Sequence, residues 1–107
     1  MRTTWIKDRL DINCIIKETE RACLIRIPHS AFEGFVFWFP KSMIKKIRRT
    51  DQYVRAIYPA GFGTIITKDE QVYQTYAEFA FSCINQPHLH KENIFKMRRE
   101  FEQLAGF

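Results

Sequence analysis

Five consecutive apolar residues at positions 35–39, FVFWF, constrain the fold of this chain more than any other segment. Neighbouring side chains on a β-strand point to opposite faces, so Phe37 and Trp38 would each need a layer of structure to cover them. Pro40 follows the run and cannot donate a hydrogen bond to a neighbouring strand. We therefore predict a central strand at residues 35–39 that is covered on both faces.

A β-hairpin is predicted before this strand. Residues 12–17 are rich in isoleucine, and residues 22–27 alternate, with Cys23 on one face and Arg26 on the other. The polar segment between them favours a tight turn about residues 18 and 19, which would place Cys14 opposite Cys23. We expect Cys14, Cys23 and Cys83 to be buried and reduced, and the alternative is a disulfide between Cys14 and Cys23.

A second hairpin is predicted from two β-rich segments, residues 53–58 and 63–67. The sequence YPAGFG joins them, with Pro59 suited to the first central position of a turn and Gly61 to its last. Phe62 lies between two glycines, so its exposure in such a turn would require an explanation.

Three helices are predicted in the remaining segments. Apolar residues at helical spacing predict a short helix at residues 43–47, with Ser42 as its N-cap. Asp69 would cap a second helix at residues 70–85, and a third is predicted at residues 91–104. We therefore predict an α+β fold, with an antiparallel sheet of about four or five strands packed against helices mainly from the last third of the chain.

The composition is typical of one compact domain with a basic surface. The chain has 107 residues, of which 46% are hydrophobic, so we expect a single domain at residues 1–107. Its formal charge of +5 attracts polyanions. No segment approaches the ~18 apolar residues of a membrane span, so we expect no membrane contact and a cytoplasmic location in whatever cell makes the protein.

A dense group of cations is the most informative local feature. Its members are Lys41, Lys45, Lys46, Arg48 and Arg49. If a helix at residues 43–47 docks its apolar side on the sheet, these cations point outward together and can contact several phosphates. The alternative is a solvated face without a ligand. Further cations, whose position relative to this group the sequence does not define, are Arg2, Lys7, Arg9, Arg55 and Lys68.

Aromatic side chains interleaved with cations give a second reason to consider nucleic acid. Proteins that bind single strands stack bases on aromatic residues of a sheet. The candidates in this chain are Trp38, Tyr53, Tyr58 and Phe62. The alternative interpretation is that aromatic residues in apolar strands belong to the core.

No pattern in the sequence indicates catalysis. The segment CINQPHLH places His88 and His90 two residues apart after Cys83, but no further ligand completes a metal site. Glycine-rich phosphate loops and nucleophile motifs do not occur either. We therefore expect a protein without a catalytic residue, a cofactor or a bound metal.

The segments KETERACLIRIP and GFVFWFPKSMI, within residues 17–44, resemble small accessory proteins of phages and mobile elements of Gram-positive bacteria. In those proteins a Glu-Thr-Glu-x-Ala hairpin leads to a strand that ends in Trp-x-Pro-Lys-Ser. The resemblance covers less than a third of the chain and brings no catalytic role. It implies a nucleic-acid-binding factor or an inhibitor of host defence, such as an anti-CRISPR protein whose partner is a CRISPR effector nuclease.

These observations favour a non-enzymatic protein that binds nucleic acid or a nucleoprotein complex through residues 41–49. A chain with a charge of +5 is a poor mimic of duplex DNA. An inhibitor of this kind would instead contact guide RNA or DNA or an acidic patch on a nuclease, or act as a dimer that blocks assembly. The alternative is a protein-binding module or homodimer whose exposed aromatic surface includes Tyr58, Phe62 and the C-terminal helix.

Overall fold

The strands of this protein form two antiparallel sheets. The computed structural model describes residues 2–91. In chain order, the strands of this part are β1 (Trp5–Asp11), β2 (Ile15–Glu18), β3 (Ala22–Arg26), β4 (Val36–Pro40), β5 (Ile44–Lys46), β6 (Tyr53–Pro59), β7 (Gly63–Lys68) and β8 (Gln71–Tyr76). The helix α1 (Ala77–Asn85) follows them. One sheet has three strands in the order β1-β6-β5, and the other has five in the order β2-β3-β4-β7-β8.

The predicted α+β class and central strand are confirmed. Strand β4 lies in the middle of the five-stranded sheet, with β3 on one side and β7 on the other. Phe37 and Phe39 are buried, whereas Trp38 on the opposite face is 46% exposed. The single predicted sheet is therefore replaced by two sheets, and one face of β4 remains partly open.

The predicted helix at residues 43–47 is wrong. Lys41–Met43 form a single 3-10 turn, and Ile44–Lys46 form strand β5, in which Ile44 pairs with Ala56 of β6. Three apolar side chains within five residues fit a short strand as well as a helical turn. The hydrogen bonds that the next strand, β6, offers to residues 44–46 decide between the two.

The predicted hairpin between residues 53–58 and 63–67 is also wrong, although both strands exist. Strand β6 pairs with β1 along its whole length, and β7 pairs with β8. The segment between them does turn: the Phe62 amide donates to the Pro59 carbonyl oxygen at 3.1 Å, and Gly61 has a φ of +79°. Because that φ favours glycine, the turn is encoded locally, whereas the separation of the two strands is not.

The predicted helix at residues 70–85 is correct only in its second half. Asp69, with a φ of +54°, lies in the tight turn that connects β7 to β8 and does not cap a helix. Residues 71–76 form β8, and α1 begins at Ala77. The predicted helix at residues 91–104 lies outside the described residues, apart from Lys91. No helix within residues 2–91 combines the length and apolar character needed to cross a membrane.

The first hairpin forms with a register different from the predicted one. Strands β2 and β3 pair, but Glu18 lies opposite Cys23, whose thiol is 3.5 Å from the Glu18 carboxylate. Cys14 lies in a 3-10 turn before β2, and an irregularity between Ile15 and Lys17 shifts the ladder. The predicted contact between Cys14 and Cys23 is therefore wrong, whereas the predicted burial of the cysteines is confirmed.

Aromatic rings join the two sheets and the helix in one core. Phe39 of the five-stranded sheet lies 5.9 Å from Tyr58 of the three-stranded sheet, measured between ring centroids. Phe81 of α1 lies 5.1 Å from Phe39 and stacks on Tyr58 at 5.5 Å. The inner faces of the two sheets thus face the same core, and their outer faces point to solvent.

Candidate nucleic-acid interface

Strand β1 separates its charged residues between the two faces of the three-stranded sheet. Lys7 and Arg9 are exposed on the outer face, whereas Leu10 is buried on the inner face and Asp8 is partly buried beside it. The Tyr58 hydroxyl donates a hydrogen bond to the Asp8 carboxylate in the core. The Asp8 carboxylate is therefore held inside, whereas Lys7 and Arg9 lie on the outer face together with Asp11 at the end of the strand.

Arg9, Arg55 and Lys45 form one row across the outer face of this sheet. Arg9 pairs with Arg55 between β1 and β6, and Arg55 pairs with Lys45 between β6 and β5. All three are exposed. Adjacent strands lie ~4.8 Å apart, so the three residues occupy a width of roughly 10 Å. Like charges in directly opposed positions repel each other, and a bound anion would relieve this repulsion.

Aromatic side chains accompany the row on the same face. The Arg9 guanidinium lies 4.5 Å from the centre of the Tyr53 ring, a cation–π distance. Trp5, at the start of β1, is 59% exposed. We call this surface the basic outer face, and its members are Trp5, Lys7, Arg9, Lys45, Tyr53 and Arg55. It combines cations for phosphates with aromatic rings on which bases can stack.

No carboxylate among residues 2–91 forms an ion pair with a cation of the basic outer face. Asp11 lies at the border of the basic outer face, where its Oδ1 accepts the Asn13 amide at 2.9 Å. The one ion pair between residues of the 2–91 segment joins Lys41 to Glu18 at 3.9 Å, away from this face. The positive charge of the row is thus available to an external anion.

The five cations predicted to act together are dispersed in the structure. Lys45 belongs to the basic outer face, but Lys46 points to the other side of β5 because successive strand residues alternate. There it lines a cleft with Lys41, which is paired with Glu18. Arg48 and Arg49 are exposed in the loop after β5. The predicted common face is therefore wrong, and of the predicted cations Lys45 and Arg55 are brought together in the row.

Tyr58 and Phe62 do not contribute to this surface. Tyr58 is fully buried, and burial, together with the hydrogen bond to Asp8, raises the pKa of its phenol. The prediction that Tyr58 contacts a partner is therefore wrong. Phe62 is partly buried against Phe39, at 5.9 Å between ring centroids, and borders the five-stranded sheet instead.

Strand β1 was missed by the sequence analysis, and with it Trp5 and the role of Lys7 and Arg9. The segment WIKDRLD alternates with a period of two, as a half-buried strand should. This alternation is hard to recognise in the sequence because Asp8 occupies a core-facing position, and a carboxylate at such a position argues against a strand. Its hydrogen bond to Tyr58 from β6 resolves the conflict, and only the folded structure shows that partner.

The cysteine thiols are unsuited to nucleophilic chemistry. Burial raises the pKa of Cys14 and Cys23, and it raises the pKa of Cys83 to about 11. Because the thiolate is the reactive form, these side chains remain protonated and unreactive at neutral pH.

His90 anchors the end of the described chain on α1. Its Nε2 lies 2.8 Å from the Ser82 hydroxyl oxygen, and its ring packs edge-on against Phe79 at 4.9 Å. Within residues 2–91, no group of three or more histidine, cysteine, aspartate or glutamate side chains is positioned to hold a metal ion.

The position of His90 predicts a dependence of stability on pH. Burial lowers its pKa below the ordinary value of 6.5, and His88 nearby lowers it further. As the pH falls through that value, the unfolded chain binds this proton more readily than the folded chain, so the free energy of unfolding decreases. Urea unfolding at about pH 7.5 and 5.5 should show a smaller decrease for His90→Gln than for wild type. An identical decrease in both proteins would contradict this role.

The geometry thus brings together a row of three cations, an adjacent exposed lysine and two aromatic rings on one sheet face. These residues come from three strands, of which β1 is far in the sequence from the consecutive strands β5 and β6. No protein-family model, curated protein or solved structure matches this chain, so its candidate interface is defined by its own residues.

Proposed function

We propose that this chain is a non-enzymatic protein that binds nucleic acid through the basic outer face. The observation that carries the proposal is the cross-strand row of Arg9, Arg55 and Lys45 beside the Tyr53 ring. The charge of +5 supports it, because a positive field accelerates the approach of a polyanion.

The arrangement favours single strands over a duplex. A sheet face with an exposed aromatic ring offers a stacking surface to unpaired bases, whereas the bases of a duplex are already stacked on each other. Trp5 supplies such a ring, whereas Tyr53 is half-buried under the Arg9 guanidinium, and the neighbouring cations are placed to contact the backbone phosphates. Base identity plays little part in contacts of this kind, so we expect weak sequence preference.

A more specific form of the proposal is inhibition of a host-defence nucleoprotein. The resemblance of residues 17–44 to accessory proteins of phages and mobile elements supports this form, with a CRISPR effector nuclease as the partner. The protein would then act by occupying the nucleic acid on which the effector depends. A cleavage assay with a guide-loaded effector, titrated with this protein, should show inhibition that is lost when the cation row is reversed in charge.

Salt dependence tests the basic proposal directly. Three phosphate contacts predict that the logarithm of the binding constant falls against the logarithm of the salt concentration with a slope of about −2 for single strands. Fluorescence anisotropy of labelled single- and double-stranded DNA and RNA, at about 50 and 200 mM salt, measures this slope. Absence of binding to every probe at the lower salt concentration would refute the proposal.

A further inference from the structure

The edge strands of the two sheets differ in how well they are protected against pairing with another chain. Within residues 2–91 these strands are β1 and β5 of one sheet and β2 and β8 of the other. Proteins protect such edges with charged side chains, short strands and irregular ladders. Strand β1 carries charges along its length, β5 has only three residues, two of them lysines, and β2 combines two charged residues with an irregular ladder.

Strand β8 has none of these protections. Its six residues, QVYQTY, include no charged residue and no proline, and its ladder with β7 is continuous from Gln71 to Tyr76. Val72 and Tyr76 are 60% and 59% exposed. No other strand of the described part of the chain pairs with the free side of β8. Because β-branched and aromatic residues favour strand pairing, β8 is the edge best suited to accept a further strand.

The backbone amides of alternate residues point to the free side of β8. Lys68 and Gln71 flank the two-residue turn between β7 and β8, and such a closing pair is hydrogen-bonded. Alternation then directs the amides at odd-numbered positions toward β7, in agreement with the Ala77 amide, which donates to the Phe62 carbonyl oxygen at 2.9 Å. The amides that point to the free side belong to Val72, Gln74 and Tyr76.

We propose that this free edge pairs with the same edge of a second copy, so that two β8 strands run antiparallel around a two-fold axis at Gln74 and join the two five-stranded sheets. This axis places Val72 of each copy opposite Tyr76 of the other. It also places Tyr73 opposite Thr75, and Gln74 opposite its own copy. Pairs of an aromatic with a β-branched residue stabilise antiparallel ladders, so the edge is complementary to itself.

Charge and exposure both favour a second copy as the occupant. A charged residue near a two-fold axis meets an identical charge, and β8 contains none. Asp69 and Glu70 of the adjoining turn lie four or more residues from the axis, so those of the two copies are roughly 26 Å apart, well beyond the ~8 Å screening length. The opposed strand must also cover the exposed Val72 and Tyr76 side chains, and a second β8 supplies the matching residues.

The small size of this ladder indicates a weak dimer. Stable interfaces bury ~1,200 Å² or more in total, and pairing of residues 72–76 alone buries less. We therefore expect a dissociation constant on the order of 100 µM. Strand β8 belongs to the sheet that does not carry the basic outer face, so this proposal does not rest on the proposed function.

Sedimentation equilibrium of the full chain, from about 10 µM to 1 mM, tests the dimer. We expect the mass to rise from 12.8 kDa toward twice that value as the concentration increases. Gln74→Pro should weaken the dimer at least ~10-fold, because proline removes a donor that points to the other copy and leaves the bonds to β7 in place. Gln74→Ala is the matched control: it keeps that donor, and we expect a change of less than about threefold.

Hydrogen exchange followed by NMR identifies the interface directly. The amides of Val72, Gln74 and Tyr76 should exchange more slowly at about 1 mM than at about 50 µM protein, because dimerisation pairs them. The amides of Tyr73 and Thr75 are already bonded to β7, so their exchange rates should not change. Unchanged rates for the first three amides in a dimeric sample would show that the copies meet elsewhere and would refute the proposal.

The remaining outcomes also decide the question. Dimerisation that survives in Gln74→Pro overturns the proposal, as does an equal loss in Gln74→Ala. A wild-type chain that stays monomeric up to about 1 mM overturns it too, even if slow exchange shows that another part of the same chain covers the edge. Far-UV circular dichroism checks that the variants fold. If Gln74→Pro does not fold, Gln74→Lys takes its place, since its two charges, on backbones about 5.5 Å apart, should weaken the dimer at least fivefold.

Discussion

Replacing Arg9, Lys45 and Arg55 together by Glu should reduce the affinity for a single-stranded oligonucleotide by about 100- to 1,000-fold at roughly 50 mM salt. Each phosphate contact contributes through released counterions, and three contacts account for a factor of this size. The salt dependence should become nearly flat in the same variant, because no cation of the row remains to displace ions. Fluorescence anisotropy over a range of salt concentrations measures both effects.

A control with the same charge change distinguishes the basic outer face from overall charge. Replacing Lys17, Arg21 and Arg26 by Glu also takes the formal charge from +5 to −1, since each reversal changes it by two. These residues are exposed on β2, β3 and the turn between them, in the other sheet. We expect this variant to retain most of the affinity. Equal losses in the two variants would show that net charge, and not the row, determines binding.

The three reversals should leave the fold intact. Arg9, Lys45 and Arg55 are exposed, and their like charges oppose one another across the strands. Three glutamates in the same positions repel to a similar degree, so the free energy of unfolding should change little. A variant that fails to fold would be recognised by its circular dichroism spectrum. In that case the neutral substitutions of the same residues by Gln would test the row instead.

Phe39→Ala should lower the free energy of unfolding by about 3–5 kcal/mol. Its ring is fully buried and contacts Tyr58 of the other sheet and Phe81 of the helix, at 5.9 and 5.1 Å between centroids. Truncation leaves a cavity where the three layers meet, and the surrounding rings cannot close it without losing their edge-to-face packing. Because small domains have total stabilities of only about 5–15 kcal/mol, this loss is a large fraction of the stability of the chain.

The neighbouring residue provides the comparison. Trp38→Ala removes a larger ring from the same strand, but the side chain points outward and is 46% exposed. We expect a loss of about 1–2 kcal/mol there, because only part of the ring leaves water on folding. Urea unfolding followed by circular dichroism should show a much lower midpoint for Phe39→Ala than for Trp38→Ala. A larger loss for Trp38→Ala would place the core on the other side of β4.

Local sequence patterns determined several features of this protein. The apolar run at residues 35–39 required a central strand, and the alternation at residues 22–27 required a half-buried one; β4 and β3 occupy these positions. The burial of the cysteines could also be predicted, because they lie within apolar segments. These features depend on the periodicity of neighbouring residues and on the cost of exposing apolar side chains, both of which can be read from a single segment.

Only the tertiary structure decided which strands pair and which side chains meet. Residues 44–46 became a strand because β6 offered hydrogen bonds, and Asp8 could face the core because Tyr58 donated to it. The cation row depends on both pairings, since a shift of one residue in either strand would turn Arg9 or Lys45 to the opposite face. Register between strands distant in the chain arises from packing of the whole core, and for that reason the candidate interface was not visible in any one segment of the sequence.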